Sequence, residues 1–261
     1  CDLWQHASLQ LQASTGVAYG LWNYVHQTGD KDFLYHQGAE ILVELSRMLA
    51  SRGGYDPVTG KYGYYCVMGP DEFQMMVNNN TYTNFMGRKT LYFTLETLEA
   101  LEKDDPARYA ELAVTEEEKA DWKDKADHMA ILYDEKTKLF EQHEGFFHLP
   151  HIDINAIPVT DFPLYGHWSY DRIYRNDMLK QPDVLMFMML YGSEFTKEQL
   201  AANFDYYEPR CIHESSLSPS IHSILACRLD RAALAEQFFG FATRMDLDDY
   251  NRNTREGLHT T

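Results

Sequence analysis

Apolar residues recur along most of the chain at steps of three and four, the spacing that places side chains on one face of an α-helix. Residues 9–25 show this spacing, and Thr28-Gly29-Asp30 then ends that helix and caps the next one, over residues 31–50. The two segments therefore form a helical hairpin. The same spacing predicts further helices at residues 80–101, 117–132, 183–190, 196–204, 219–228 and 231–245.

Alternation typical of β-strands is confined to short pieces at residues 62–67 and 146–149. Long connectors rich in aromatic residues, Gly, Pro, Asn and His join the helices at residues 53–79, 143–181 and 205–218. Loops of this length are uncommon in a compact domain and tend to carry function. We expect one all-α domain over residues 1–261, built from paired helices as in an α/α toroid, with its chemistry in the connectors.

The charge balance limits the partners. The chain has 261 residues, with 23 Lys and Arg against 40 Asp and Glu, and a formal net charge of −17. Such a field repels a nucleic acid or an anionic membrane, and no apolar run is long enough to cross a bilayer. Four widely spaced cysteines indicate free thiols in a reducing compartment. We expect a soluble, cytoplasmic protein without nucleic-acid or membrane partners.

An acidic pair stands in the first connector, within Gly69-Pro70-Asp71-Glu72-Phe73. Tyrosines and methionines surround it in the sequence. A carboxyl group among such side chains is desolvated, which raises its pKa and suits a proton donor. The alternative is a Gly-Pro-Asp turn in which Asp71 merely caps a short helix.

Hydroxyl groups are concentrated at the end of the third connector, where Ser215 and Ser216 precede a helix. Adjacent hydroxyls at a helix start can cradle an anion, because free backbone N–H groups and the positive end of the helix dipole point at it. The alternative is ordinary N-capping by Ser218 with Pro219 in the first turn.

Two other short segments are candidates. Lys180-Gln181 stands just before an apolar helix, so the Lys180 ammonium is either solvated or directed into a cleft. The segment Gly257-Leu258-His259 is a weak signal when taken alone.

Metal and nucleotide sites lack their usual signatures. His148, His151 and Asp153 carry ligand groups, but Pro150 interrupts their spacing and no HExxH glutamate follows, so we expect no metal. The sequence also contains no GxxxxGK[ST], no GxGxxG after a strand and no GxSxG.

Taken together, four motifs in this order closely resemble glycoside hydrolase family 65, the group of maltose, kojibiose, nigerose and trehalose phosphorylases. They are Gly-Pro-Asp-Glu-Phe with Val-Asn-Asn-Asn-x-Tyr-Thr-Asn at residues 69–84, Lys-Gln-x-Asp-Val at 180–184, His-x-Ser-Ser-Leu-Ser at 213–218 and Gly-Leu-His at 257–259. The resemblance implies an (α/α)6 barrel catalytic domain, of which this chain is the central, incomplete part. The chain departs from the family at Gln74, where many members have His, and at Cys211, where Thr is common.

The resemblance also implies roles for individual residues: Glu72 as general acid, Ser215, Ser216 and His259 as phosphate ligands, and Lys180, Gln181 and Asp71 as substrate-binding residues. The implied reaction is cleavage of an α-linked glucose disaccharide by inorganic phosphate with inversion. Its products are β-glucose 1-phosphate and a released sugar acceptor. Phosphate is then a co-substrate, no cofactor is implied, and the resemblance suggests a homodimer.

This assignment explains why one acidic motif stands beside one anion motif. An inverting hydrolase needs two carboxylates, one to donate a proton and one to activate water. Phosphate is already an anionic nucleophile, so a phosphorylase needs only the donor. Two alternatives remain open: a trehalase-like inverting hydrolase with Glu208 or Glu214 as its second carboxylate, and a toroid that binds a glycan without cleaving it.

Overall fold

The computed structural model describes residues 5–250 and 254–258. Two compact units are distinguishable within them. The first contains the described residues up to Val67 together with Met76–Ile131, and the second contains Met68–Met75 together with the described residues from Leu132 onward. The single domain expected over residues 1–261 stays a prediction.

The first unit is helical, with one two-stranded antiparallel ribbon in which Tyr55 pairs with Tyr62. A π-helical stretch at Leu34–Gly38 joins α2 to α3 without a break, and a 3-10 turn at Gln5–Leu9 precedes α1. Its elements are α1 (Gln12–Thr28), α2 (Lys31–Phe33), α3 (Ala39–Arg52), β1 (Gly54–Tyr55), β2 (Tyr62–Gly63), α4 (Thr81–Asp104), α5 (Pro106–Glu111) and α6 (Glu116–Asp127).

Local sequence accounts for the helix ends in this unit. Gly29 adopts the left-handed conformation (φ 70°) that ends α1, and the Asp30 side chain accepts from Phe33 N at 2.9 Å to start α2. Asn80 caps α4 by accepting from Thr83 N, also at 2.9 Å. Thr115 and Glu118 form a reciprocal capping box at the start of α6.

Helix α6 ends earlier than its apolar spacing predicts. The prediction extends to residue 132, but the helix stops at Asp127. Beyond it, Met129 forms a parallel bridge with Tyr62, and Ala130 N donates to Tyr62 O at 2.8 Å. These long-range backbone bonds take up the groups that a longer helix would have used.

The core of the first unit lies between α1, α3, α4 and α6. Leu42, Leu49, Leu91 and Leu98 are at most 1 % exposed, and Trp122 of α6 packs with them. Inside this core, Ser46 Oγ donates to Thr94 Oγ1 at 2.8 Å. Burying a hydroxyl group without a hydrogen-bond partner costs free energy, and this bond removes that cost at the contact between α3 and α4.

The second unit combines longer helices with a run of short turns. A second ribbon pairs Tyr133 with Phe140. Its elements are β3 (Tyr133–Asp134), β4 (Leu139–Phe140), α7 (Leu164–His167), α8 (Tyr170–Tyr174), α9 (Asp183–Leu190), α10 (Lys197–Tyr207), α11 (Leu217–Arg228) and α12 (Ala232–Arg244). Its 3-10 turns are Phe146–His148, Ile154–Ala156, Val159–Asp161, Gly192–Glu194, Glu208–Arg210 and Thr254–Glu256.

The strand predicted at residues 146–149 is wrong. Gly145 has a φ of 87°, and a 3-10 turn follows it, closed by His148 N donating to Gly145 O at 3.0 Å. The apolar residues there do not alternate across a sheet. Instead Phe146 is fully buried and packs edge-on against His143.

The longer helices agree with the predicted pattern. Helix α9 occupies the predicted residues 183–190, and Val184, Leu185, Phe187 and Met188 are 0 % exposed. Helices α11 and α12 form a hairpin in which Ser223 Oγ donates to Ala235 O at 2.9 Å. The mostly helical composition confirms the all-α class expected for an (α/α)6 barrel. Within residues 5–250 and 254–258, no helix combines the length and apolarity needed to cross a membrane.

Candidate active site

Asp71 is the buried anchor of the acidic motif. It is 0 % exposed, and its Oδ1 accepts from the backbone N–H groups of Phe73 (3.1 Å), Lys180 (3.0 Å) and Gln181 (3.3 Å). Its Oδ2 accepts from Gln142 Nε2 at 2.8 Å. Burial raises the pKa of Asp71, and these four donors oppose that rise. The Asp71 carboxylate therefore ties together two segments separated by more than 100 residues.

Further bonds make these two segments one hydrogen-bonded unit. Asp71 N donates to Asp183 Oδ1 at 2.7 Å, at the first residue of α9. Gln74 Nε2 donates to Asn176 O at 2.9 Å, and Gln74 Oε1 lies 2.9 Å from His143 Nε2. Gln74, which replaces a common His, therefore has a structural partner on each side of its amide group.

The backbone of Glu72 is held at both of its polar groups. Its N–H donates to Gln181 Oε1 at 3.1 Å, and its carbonyl oxygen accepts from Tyr165 Oη at 2.7 Å. The Glu72 side chain is 24 % exposed and forms an ion pair with Lys180 Nζ. A clamped backbone with a partly exposed carboxylate is the arrangement that a positioned acid requires.

Lys180 and Tyr165 complete the surroundings of Glu72. The Lys180 ammonium lies 5.0 Å from the centre of the Tyr165 ring, within range of a cation–π contact. Burial raises the pKa of Tyr165, so its hydroxyl stays protonated and donates to the backbone carbonyl oxygen of Glu72. Asp71, Glu72, Lys180 and Gln181 thus converge, and we call these four residues the acid cluster.

A short backbone bridge joins the acid cluster to the third connector. Leu179 N donates to Arg210 O at 2.8 Å, and Ile212 N donates to Leu179 O at 2.9 Å. Arg210 Nε also donates to Asp177 Oδ2 at 2.8 Å, and this carboxylate is 5 % exposed. The segment that carries Lys180 and the one that leads to the serine pair are therefore in direct contact.

Ser215 and Ser216 stand at the start of α11, where an anion site was expected. Ser215 is buried and its Oγ accepts from Leu217 N at 3.3 Å, whereas Ser216 occupies the N-cap position without making a side-chain cap. In the described part of the chain, no hydrogen bond joins either serine to the acid cluster. Their phosphate-binding role stays a prediction.

The alternative of N-capping by Ser218 is wrong, because α11 begins at Leu217 and Ser216 occupies the N-cap position, although Pro219 does lie in the first turn. The Ser218 hydroxyl is instead buried, 2.7 Å from His213 Nδ1 and 3.0 Å from Cys211 Sγ. Burial lowers the pKa of His213 well below its usual range and lowers that of His222 to about 4, while it raises the pKa of Cys211 to about 12. These are therefore neutral groups in a polar pocket of the core.

The remaining sequence candidates have different outcomes. His259 lies outside the described residues. Glu214 accepts from Leu164 N at 2.7 Å, burial raises its pKa, and the charge of Lys180 opposes that rise. Glu208 is in the 3-10 turn after α10, and burial raises its pKa too. His151 Nδ1 pairs with Asp177 Oδ2 at 2.8 Å.

Sequence reasoning missed Tyr165 and Gln142 as members of the site. Both lie outside the four motifs, and both reach the acidic pair only through tertiary contacts. The one signal that could have found Tyr165 is the aromatic richness of the connector at residues 143–181.

The arrangement can carry out acid-assisted chemistry on a polar ligand. It offers one partly exposed carboxylate, an adjacent ammonium group and aromatic rings of the kind that stack on sugar C–H faces. It also offers a helix start with two hydroxyls, one of which, Ser216, is used by no described side-chain hydrogen bond.

Comparison with known proteins identifies a family and several relatives of this chain. The family model described as "Glycosyl hydrolase family 65 central catalytic domain" matches residues 2–261. An α,α-trehalose phosphorylase of Thermoanaerobacter brockii is 41% identical over 255 residues, which is 96% of this chain and 33% of that protein. A maltose phosphorylase of Bacillus subtilis (strain 168) is 36% identical, covering 99% of this chain and 34% of that protein.

A solved structure described as a putative kojibiose phosphorylase from human microbiome superposes with a TM-score of 0.93 at 53% identity. The match covers 99% of this chain and 34% of that one. The chain thus spans about a third of the length of the relatives it matches. The near-complete match to the family model, supported by these relatives, shows that the chain belongs to glycosyl hydrolase family 65 and corresponds to its central catalytic domain.

Proposed function

We propose that the protein carrying this chain is an inverting phosphorylase of α-glucosyl disaccharides. One observation carries the proposal: a single clamped carboxylate, Glu72, pairs with Lys180, and a backbone bridge at Leu179 links them to the serine-rich start of α11. This pairs one acid with one potential anion site, which is what phosphorolysis needs. The phosphorylase names of the relatives support the same reaction class.

In the proposed reaction, Glu72 gives its proton to the glycosidic oxygen as the bond from that oxygen to the anomeric carbon breaks. A phosphate oxygen attacks the anomeric carbon from the opposite face and forms the new bond. The products are β-glucose 1-phosphate and the released sugar. Glu72 is left as a carboxylate, and the proton that hydrogen phosphate loses on becoming a sugar phosphate returns to it, directly or through water, before the next turnover. No further cofactor takes part.

Lys180 has two proposed tasks. In the present structure its ammonium pairs with Glu72, an arrangement that favours the ionised carboxylate. Binding of a glucosyl unit offers Lys180 hydroxyl groups to donate to instead. Transfer of Lys180 from Glu72 to the sugar then frees the acid to hold its proton, so sugar binding and activation of the acid occur together.

The remaining members of the acid cluster hold it in place. The Asp71 carboxylate is fully buried and accepts four hydrogen bonds, from Phe73, Lys180, Gln181 and Gln142, so we assign it positioning rather than direct sugar contact. Gln181 uses its oxygen for Glu72 N–H, and its amide nitrogen is the part proposed to reach the glucosyl unit.

The phosphate is proposed to bind at Ser215, Ser216 and His259. The positive end of α11 and the two hydroxyls provide donors at short range. The net charge of −17 disfavours long-range attraction of the anion, so binding depends on these local donors. A cytoplasmic location and a homodimer stay predictions.

Phosphate dependence tests the proposal. The full-length protein is incubated with kojibiose, trehalose, maltose and nigerose, each with and without inorganic phosphate, and sugar products are separated by chromatography. Kojibiose comes first because the 53%-identical solved relative bears that name. We expect glucose 1-phosphate from at least one disaccharide, and only with phosphate. Glucose release at the same rate without phosphate would support a hydrolase that uses Glu214 or Glu208, and binding without any cleavage would support a glycan-binding toroid.

A further inference from the structure

Three side chains with metal-binding groups meet around the first turns of α11: Cys211, His213 and His222. One ligand atom from each, the thiol sulfur or a ring nitrogen, lies within 4.8 Å of the other two. Cys211 and His222 are 0 % exposed, and His213 is half-buried. The proposed reaction uses none of these three side chains.

We propose that Cys211, His213 and His222 form a binding site for a single Zn²⁺ ion. Thiolate sulfur and neutral imidazole nitrogen are ligands that zinc prefers, and three protein ligands with an open fourth position are a common set. With Zn–S near 2.3 Å and Zn–N near 2.0–2.1 Å, tetrahedral donors lie about 3.4–3.6 Å apart. The three ligand atoms, at most 4.8 Å apart, therefore need to approach one another by no more than about 1.2–1.4 Å.

The environment of His222 is a second observation in favour of a ligand. Its Nδ1 lies 2.8 Å from the Ser218 carbonyl oxygen, and within the described structure its buried Nε2 has no hydrogen-bond partner. A buried polar atom without a partner is costly in a purely structural side chain. His222 Nδ1 also lies 3.4 Å from Ser218 Oγ, the hydroxyl that contacts both Cys211 and His213, so the His222 ring borders the same pocket as the other two side chains.

The site has a fourth donor and a route of entry. Ser218 Oγ lies 3.0 Å from Cys211 Sγ and 2.7 Å from His213 Nδ1, so it is within reach of an ion held by these groups. A cavity of about 440 Å³ is lined by Cys211 and His213 together with Phe238 and Phe241. This cavity offers an approach for the ion and room for a water ligand.

Binding is a simple exchange of ligands without any redox change. The Cys211 S–H bond breaks, its proton passes to solvent, and the sulfur forms a bond to Zn²⁺. The three ligands include no carboxylate, so Mg²⁺ and Ca²⁺, which prefer oxygen donors, are expected not to compete. The site is separate from the His148, His151 and Asp153 set considered from the sequence.

Cobalt is the probe for the test, because a cysteine thiolate bound to Co²⁺ gives a charge-transfer absorption band in the near ultraviolet. The purified protein, kept reduced by a phosphine, is titrated with Co²⁺ and then with Zn²⁺. We expect the band to saturate at one equivalent, to disappear when Zn²⁺ displaces Co²⁺, and to be unaffected by Mg²⁺.

Variants show whether Cys211 is the ligand. Cys211→Ser and Cys211→Thr are expected to lose the band and to weaken Zn²⁺ binding by at least about tenfold, the lower end of the loss seen even for outer-shell changes. Cys227→Ser and Cys66→Ser, which change exposed cysteines, should keep the absorption band and the Zn²⁺ affinity. Circular dichroism establishes that each variant is folded. No band in the unaltered protein, or a band that persists in both folded Cys211 variants, would overturn the proposal.

Discussion

The backbone of Glu72, the proposed general acid, is held at both of its polar groups. Tyr165 and Gln181 hold its carbonyl and N–H groups, while the carboxylate remains partly exposed beside Lys180. The backbone geometry therefore does not depend on the charge of the side chain. A substitution that removes only the acidic proton should leave the site assembled.

Replacing Glu72 with Gln tests its role directly. Because Gln keeps the shape but has no proton to donate, turnover of the disaccharide should fall by about 10²–10⁴-fold while sugar affinity changes little. Steady-state kinetics and calorimetric sugar binding give the two quantities. Glu135→Gln, an exposed carboxylate, serves as the matched control. Undiminished turnover in Glu72→Gln would move the acid to another residue.

Glu214 should make the stability of the protein depend on pH. Burial raises its pKa above the unfolded value, so the folded state binds more protons in the interval between the two values. The protonated form is favoured in the fold, and the stabilisation present below the unfolded pKa is lost as pH rises through the folded pKa. The effect comes from the partial burial of the carboxyl group, and the hydrogen bond from Leu164 N opposes it.

Urea unfolding at several pH values checks this prediction. The free energy of unfolding of the unaltered protein, relative to Glu214→Gln, should decrease as pH rises from below about 4.5. Gln keeps an oxygen that can accept from Leu164 N, so the variant should fold. Glu236→Gln, on the exposed face of α12, is the control. A difference that stays constant with pH, or that increases with it, would contradict the assignment.

At the scale of elements, the site is two connectors joined by hydrogen bonds. Asp71 binds the backbone at Lys180 and Gln181, and Leu179 pairs with the segment from Arg210 to Ile212. The short helix α7 contributes Tyr165 to the same region. The regular helices support these connectors, and the functional groups lie between them rather than on their middle turns.

Asp71 should be needed for its hydrogen bonds and not for its charge. In Asp71→Ala, three backbone N–H groups and Gln142 lose their acceptor, so the free energy of unfolding should fall by about 3 kcal/mol or more, and kcat should fall with it. Asp71→Asn keeps one oxygen, and Gln142 can turn its amide group to accept.

The variant Asp71→Asn therefore shows whether Asp71 positions its neighbours or contacts the sugar directly. We expect Asp71→Asn to recover most of the stability and most of kcat, with the KM for sugar nearly unchanged. Denaturant titration and steady-state kinetics measure these quantities, and Asp171→Asn provides an exposed control. If Asn were as damaging to KM as Ala while leaving the fold stable, a direct contact with the sugar would be indicated.

The serine pair at the start of α11 should affect the KM for phosphate more than the KM for the sugar. Replacing Ser215 and Ser216 with Ala removes two hydroxyl donors, and the apparent KM for phosphate should rise at least tenfold, the equivalent of about 1.4 kcal/mol. The KM for the disaccharide should change much less. Ser220→Ala, in the next turn of the same helix, is the control. Equal effects on both substrates would argue against an anion site.

Most of the helices could be predicted from the sequence, because apolar spacing and helix caps depend on neighbouring residues. Helix α9 follows directly from apolar spacing, and the C-terminal end of α1 follows from Gly29. The start of α1 at Gln12, after a 3-10 turn, lies three residues beyond the predicted start. The end of α6 and the turn at Phe146 could not be predicted, since the former depends on pairing with Tyr62 and the latter on packing around a left-handed Gly145. The motifs named Glu72 and Lys180, but only tertiary contacts identify Tyr165 and Gln142.

At the scale of the whole molecule, an acidic chain is proposed to hold an acidic co-substrate. The net charge of −17 excludes a general attraction for anions, so phosphate affinity has to come from a few donors at short range. The chain covers about a third of its phosphorylase relatives, which is why activity is to be measured on the full-length protein. Reaction type and stereochemistry together distinguish phosphorolysis from every alternative considered.

The most direct measurement is the anomeric configuration of the first product, followed by proton NMR during cleavage of the preferred disaccharide in phosphate buffer. An inverting attack by phosphate predicts β-glucose 1-phosphate, formed in a one-to-one ratio with the released sugar, and no cleavage when phosphate is replaced by a non-nucleophilic buffer. Initial formation of α-glucose 1-phosphate, or of free glucose at a rate independent of phosphate, would contradict the proposed reaction.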